Sequence, residues 1–258
     1  MTTATGAETI ETAIRDAAPF ALAAYLMAGY PSMSAFAGHL VEVSDVADLV
    51  EVGVPFTDPM ADGLTIQKAA DRALEHGTTL PAIFDILTEI APDLRSPVLL
   101  MGYTNPFLSY GPERTAERMA AAGVSGAIVP DLPSEEQALL SGPLAHHGLA
   151  VIDLVTPATP EPRLSAIADR AEGFVYAVTV TGTTGGSLEI PADLLEYLDT
   201  VRQRAGCPVL AGFGIRSAAQ VKALASHVDG AVVGTALIDG IDRGIGPGEV
   251  VRQLRVGV

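Results

Sequence analysis

ADLVEVGVPFTDPMADG (47–63) is the stretch on which the fold turns. Its first nine residues form a short, mainly apolar run that closes at Val54-Pro55, and Glu51 interrupts it between Val50 and Val52. Side chains alternate along a strand, so Glu51 lies on the face opposite those two valines. The run is otherwise apolar on both faces, as expected of a strand in a parallel sheet covered on each side. Asp58 and Asp62 follow, so the loop leaving this strand carries carboxylates of its own.

Seven more runs have the same character: ALAAYLMAG (21–29), PVLLMGY (97–103), GAIVPD (126–131), AVIDLVTP (150–157), FVYAVTV (174–180), PVLAGFG (208–214) and GAVVGTAL (230–237). Each has strand length and is bounded by Gly, Pro, Asp or Thr. Helical patterns lie between them. SEEQALLSGPLAHHG (134–148) opens with Ser134 as N-cap and Gln137 three residues on. SAAQVKALASH (217–227) opens with Ser217, and Val221, Leu224 and Val228 recur at helical spacing. Eight strands alternating with helices in 258 residues predict an α/β fold, a (β/α)8 TIM barrel, as a single domain over 1–258. A short N-terminal helical extension is expected at about 7–18. The rival, a doubly wound open sheet, usually carries Gly-x-Gly-x-x-Gly after its first strand, whereas here that strand runs into MAGYPS (27–32).

Composition narrows the function. With 15 Lys plus Arg against 31 Asp plus Glu, the formal net charge is -16, which argues against a phosphate-binding surface for nucleic acid. Hydrophobic residues make up 48% of the chain, far from the signature of disorder. The single Cys207 allows neither an intramolecular disulfide nor a cysteine metal site, and before Pro208 it reads as a small buried residue. MTTATGAETIETAIRDAAPF (1–20) has no continuous apolar segment, and no run approaches the ~20 residues of a membrane span. A soluble cytoplasmic protein is the expectation.

A barrel builds its active site at the C-terminal ends of its strands. That rule selects Glu51, Asp58, Asp62, Tyr103, Asn105, Asp131, Thr156, Tyr176, Thr179, Thr181 and Thr235. Three glycine clusters, TGTTGG (181–186), GFGI (212–215) and VVGTA (232–236), fall at the ends of strands six, seven and eight. Glycine lets backbone N–H groups approach an anion, and a helix N-terminus within SAAQ or LIDGI would favour it further. Turn glycines are the plain alternative; the three together point to a phosphorylated small-molecule substrate.

The only lysines, Lys68 and Lys222, fall on helical stretches, which leaves a Schiff-base mechanism without a nucleophile in a strand. His39, His76, His146, His147 and His227 also lie in helical stretches or at their ends, and adjacent His146 and His147 make no natural metal pair. Proton transfer is left to carboxylates. A Glu51 pointing into the barrel mouth would be desolvated and its pKa raised toward neutrality. Its plain alternative is an ion pair with an arginine beneath the barrel. Asp62 can fold back over the same mouth. Asp58 and Asp131 read as turn formers, and Asp153 sits in mid-strand without a role.

In these residues the chain resembles the tryptophan synthase alpha chain family. The likeness runs from LAAYLMAGYP (22–31) to VVGTALID (232–239), and its most specific block is EVGVPFTDPMADG followed by Ile66-Gln67. LLMGYTNP (99–106), VPDLPSEE (129–136), TGTTG (181–185) and GFGI (212–215) keep the family's order. The resemblance implies a (β/α)8 barrel that cleaves indole-3-glycerol phosphate into indole and glyceraldehyde 3-phosphate by a retro-aldol step, without a cofactor or metal of its own. It further implies a beta subunit carrying pyridoxal phosphate, which receives the indole in an α2β2 heterotetramer.

Carried over position by position, Glu51 matches the acid/base glutamate and Asp62 the aspartate that holds the indole N–H. Thr184 matches the loop threonine that meets this aspartate on closure. Tyr176 and Phe213 match aromatic positions of the substrate pocket, and Gly185, Gly214, Gly234 and Thr235 the phosphate cradle. Ala24, Met27, Leu64 and Thr183 depart from the family's usual residues, and Thr235 stands for a serine. Three rivals stay open: a stand-alone lyase releasing free indole, a non-catalytic subunit that activates a partner, and another phosphate-binding barrel enzyme.

Overall fold

The computed structural model describes residues 4–133, 135–179, 190–212 and 214–256. Eight parallel strands close into a barrel in sequence order: β1 Ala21–Met27, β2 Leu49–Gly53, β3 Val98–Met101, β4 Gly126–Ile128, β5 Ala150–Val155, β6 Val175–Val178, β7 Val209–Gly212 and β8 Gly230–Val233. The barrel seam is β8 against β1, with Ala21 paired to Gly230 and Ala24 to Val233. Every strand falls inside its expected run. The runs are longer because their last residues, such as Val54-Pro55 and Gly102-Tyr103, already belong to the loops at the mouth.

Strand alternation divides the core into two layers. Ala23, Tyr25, Leu49, Leu99, Ile128, Ile152, Tyr176, Leu210 and Val232 fill the barrel interior. Leu22, Leu26, Val50, Val52, Val98, Leu100, Val175 and Val209 face outward to the helices, among which Phe36, Phe84, Leu198 and Val221 are fully buried. Apolar residues on both faces therefore serve two different packings, which is why the strands read as continuous apolar runs.

The N-terminal extension is a helix, Gly6–Asp16, opened by a reciprocal capping box between Thr5 and Glu8. It places Ile10 and Ile14 against the barrel interior, so it plugs the end opposite the mouth. At that end Asp48 accepts the Leu22 N–H at 2.7 Å and the Arg255 guanidinium at 2.7 Å, tying the C-terminal helix Pro247–Arg255 under the barrel.

Ser217 caps the helix Ala218–Leu224 through the Gln220 N–H at 3.3 Å, as expected. The preceding case differs. The helix expected from Ser134 begins at Ala138, with Gln137 in the N-cap position, and Ser134 lies outside the described residues. The Gln137 amide is used elsewhere: it donates to Asp153 Oδ1 at 2.9 Å. Arg170 completes that contact at 2.5 Å, so the mid-strand aspartate is one member of an ion pair joining β5 to the helix Glu161–Arg170. Cys207 is half-buried rather than fully buried, packed at the edge of the outer layer.

Candidate active site

A cavity of about 950 Å³ opens at the C-terminal ends of the strands. Glu51 and Tyr176 border it from the strands, Asp62 from the loop after β2, and Gly214, Gly234 and Thr235 from the ends of β7 and β8. Of the residues given site roles in the sequence, these six therefore border one space. Thr184, Gly185 and Phe213 lie outside the described residues.

Glu51 is fully buried, and neither carboxyl oxygen has a hydrogen-bond partner among the described residues. The arginine pair that would make it structural is absent from them. Without a cation or donor, desolvation acts alone and pushes its pKa up to about 8. At pH 7 the protonated form then exceeds the ionised one by about ten to one. A buried, unpaired acid is costly for stability, and it is poised to release its proton to a substrate.

Asp62 is held differently. Its Oδ2 accepts a hydrogen bond from the Tyr103 hydroxyl at 3.0 Å, and the same hydroxyl accepts the Ala61 N–H at 2.9 Å. Gln67 donates to the Asp62 carbonyl at 2.8 Å, and the Phe56 and Tyr103 rings lie 5.3 Å apart. The loop is thus pinned to the end of β3 and to its own following helix, Leu64–Glu75. Burial raises the Asp62 pKa, while the Tyr103 hydrogen bond pulls it back down. Burial, then the nearby Asp62 charge, raises the Tyr103 phenol.

Two tyrosines form the floor in a repeated arrangement. Tyr25 of β1 leans over Gly53 of β2, and Tyr176 of β6 leans over Gly212 of β7. A Cβ on either glycine would collide with the tyrosine hydroxyl. Glycine is required here by close approach rather than by backbone dihedral.

At the other side of the mouth, Gly214 has φ +79, a left-handed conformation that glycine adopts freely. Thr235 begins the helix Thr235–Asp242, whose start has no side-chain cap hydrogen bond among the described residues and lies at the cavity that Gly234 and Thr235 border. The other candidate helix start, at Ala218, is closed by its Ser217 cap. An open helix N-terminus beside positive-φ glycine is suited to an anion such as phosphate.

Of the other shortlisted residues, Thr181 lies outside the described residues, and Asp131, Thr179, Asp58, Thr156 and Asn105 make structural contacts. Asp131 accepts the Thr104 N–H at 2.8 Å and its hydroxyl at 2.9 Å, joining the loops after β4 and β3. Thr179 donates to the Gly212 carbonyl at 2.7 Å. Asp58 is exposed and takes the Thr57 hydroxyl at 2.6 Å. Thr156 shares a turn with Thr159, and Asn105 accepts from the Ser109 hydroxyl. Sequence reasoning shortlisted Tyr103 and quoted Gln67 in the resemblance without a role for either, and passed over Tyr25. The signal for Tyr25 was its strand alternation, which sends it into the same interior as Glu51.

Among the described residues, no group of three or more His, Cys, Asp or Glu is gathered to hold a metal, and no helix is long and apolar enough to cross a membrane. The family model described as tryptophan synthase alpha chain matches residues 13–255. A tryptophan synthase alpha chain of Roseiflexus sp. strain RS-1 is 44% identical over 243 residues, covering 93% of this chain and 92% of that one. One from Chloroflexus aggregans is 42% identical over 241 residues, covering 92% and 90%. Among solved structures, tryptophan synthase from M. tuberculosis superposes with a TM-score of 0.88 at 31% identity, covering 99% of each chain. The tryptophan synthase α2β2 complex of Pyrococcus furiosus gives 0.85 at 33% identity, covering 92% of this chain and 98% of that one.

Proposed function

The chain belongs to the tryptophan synthase alpha chain family, and from that premise we propose how its residues divide the reaction. It is a lyase that cleaves indole-3-glycerol phosphate into indole and glyceraldehyde 3-phosphate. The carbon–carbon bond between indole C3 and the glycerol chain breaks only after C3 becomes tetrahedral, which places positive charge on the ring nitrogen. Neutral Glu51 gives its proton to C3. Asp62, ionised and held by Tyr103, accepts the indole N–H and stabilises the developing charge. The carboxylate left at Glu51 then takes the proton of the glycerol hydroxyl next to the scissile bond. The carbonyl forms, the carbon–carbon bond breaks, its electrons restore the indole ring, and Glu51 ends protonated as it began. General acid–base help of this kind is worth ~10²–10⁴-fold.

The Thr235 helix N-terminus, with Gly214 and Gly234, holds the phosphate away from the reacting centre, so its binding energy serves to fix geometry. Tyr176 borders the substrate. Thr184, Gly185 and Phe213 complete the pocket on the strength of the resemblance alone. The whole chain acts as one barrel domain, and no cofactor of its own enters the reaction.

A beta subunit carrying pyridoxal phosphate receives the indole in an α2β2 heterotetramer. Met60 and Leu64, large apolar residues 83% and 68% exposed beside the mouth, support docking of a partner there. The observation that carries the proposed roles is the buried Glu51, without a hydrogen-bond partner among the described residues, in the same cavity as Asp62. Indole release by Glu51→Gln and Asp62→Asn, each with a folded control spectrum, tests them: both should fall by at least ~10²-fold, and wild-type rates would remove the assignment.

A further inference from the structure

Tyr25 is the unexplained group in the cavity. Its side chain is buried and borders the same space as Glu51. The register of the barrel pairs it directly with Glu51 across β1 and β2, so both side chains enter the interior at one level. The base of its ring packs on Gly234 of the phosphate side, and its hydroxyl reaches over Gly53 on the Glu51 strand. Among the described residues, the hydrogen-bond partner of that hydroxyl is the Met27 thioether at 4.0 Å. A thioether is a weak acceptor, and the phenolic proton is in effect uncommitted.

The reaction creates a need for such a proton. Once Glu51 has protonated the substrate, a bare carboxylate stands in an apolar interior without a donor among the described residues. Among the described residues, the ionisable groups around it are Tyr25 from β1, Tyr176 from β6 and, from the loop above, Asp62 with Tyr103 behind it. The Tyr103 proton is committed to Asp62. Asp62, in the ionised form that receives the indole N–H, has no proton to donate and only repels the new charge.

We propose that Tyr25 is a positioning residue of the reaction, whose hydroxyl turns from Met27 to donate a hydrogen bond to the ionised Glu51 carboxylate. The inference rests on the acid/base role of Glu51 given above. Tyr25 thereby makes Glu51 a stronger acid in the first half of the cycle and a correctly aimed base in the second. Burial raises the Tyr25 phenol well above its ordinary range, so it stays a donor throughout. No proton leaves Tyr25.

The test is the pH dependence of kcat for indole release by the full chain, supplied with saturating indole-3-glycerol phosphate. Tyr25→Phe should lower kcat about tenfold at pH 7 and move the basic limb, where protonated Glu51 is lost, up by about one pH unit. Incorporation of 3,5-difluorotyrosine at position 25 keeps the ring and strengthens the donor, so it should move the same limb down. This second substitution also decides the matter if Tyr25→Phe fails to fold. A basic limb unmoved by either replacement would overturn the inference. Glu51→Gln separates the two levels: full activity there would remove the acid/base assignment, and this inference with it. An inactive Glu51→Gln beside unmoved Tyr25 limbs would remove this inference alone.

Discussion

Replacing Glu51 by Gln should make the protein more stable, and by an amount that depends on pH. In the unfolded chain a glutamate titrates near its ordinary value of 4.5; in the folded barrel burial raises Glu51 to about 8. The folded pKa is the higher of the two. Its favourable contribution is therefore complete below pH 4.5 and is lost as pH rises through about 8. Each pH unit between those limits removes about 1.4 kcal/mol, so the full loss approaches about 5 kcal/mol as a ceiling. Glutamine has nearly the same shape and never ionises. The stability gain of Glu51→Gln over wild type should be near zero at pH 4.5, grow steadily between pH 5 and 8, and level off above. Urea unfolding of both proteins at each pH gives this difference curve directly. A flat difference would mean that Glu51 is ionised or solvated in the folded state, and the reasoning from its burial would fail.

Tyr103→Phe removes the donor to Asp62 and frees the Ala61 N–H. Losing a hydrogen bond to a charged group costs ~1.5–3 kcal/mol, less where water can replace it, so kcat/KM should drop about tenfold. The Asp62 pKa rises without its donor, so the acid limb of the profile should shift upward; steady-state kinetics from pH 5 to 9 check this. Gly53→Ala puts a methyl group into the space of the Tyr25 hydroxyl, and overpacking of this kind should cost ~1–3 kcal/mol in urea unfolding. Thr235→Asp sets a negative charge at the helix N-terminus where the phosphate would bind. It should raise KM at least about tenfold while kcat changes little, as measured by initial rates.

Much of this arrangement was legible in the sequence because the signals were local. Strands buried on both faces announced themselves as short apolar runs, and a glutamate within one was conspicuous. Asp58 was read as a turn former; it lies exposed in a bend and accepts the hydroxyl of its neighbour Thr57. What escaped depended on distant pairing. Asp153 had no role until Arg170, 17 residues away, was placed against it. Gln137 was read as part of a helix start, yet its amide is drawn to that same aspartate, and the helix begins later. Tyr25 drew no reading of its own within the apolar run 21–29. Only the β1–β2 register sets it beside Glu51, and only the missing side chain of Gly53 makes room for its hydroxyl. Tyr103 likewise gained meaning from the fold of the loop after β2, which no periodicity encodes.

The central claim is that Glu51 protonates the indole ring at C3. The most direct measurement is deuterium incorporation at C3 of indole, followed by NMR after incubation with the protein and glyceraldehyde 3-phosphate in heavy water. The account predicts exchange catalysed by the wild-type chain and reduced at least ~10²-fold in Glu51→Gln. Exchange at C3 that is equally fast in the glutamine variant would contradict it.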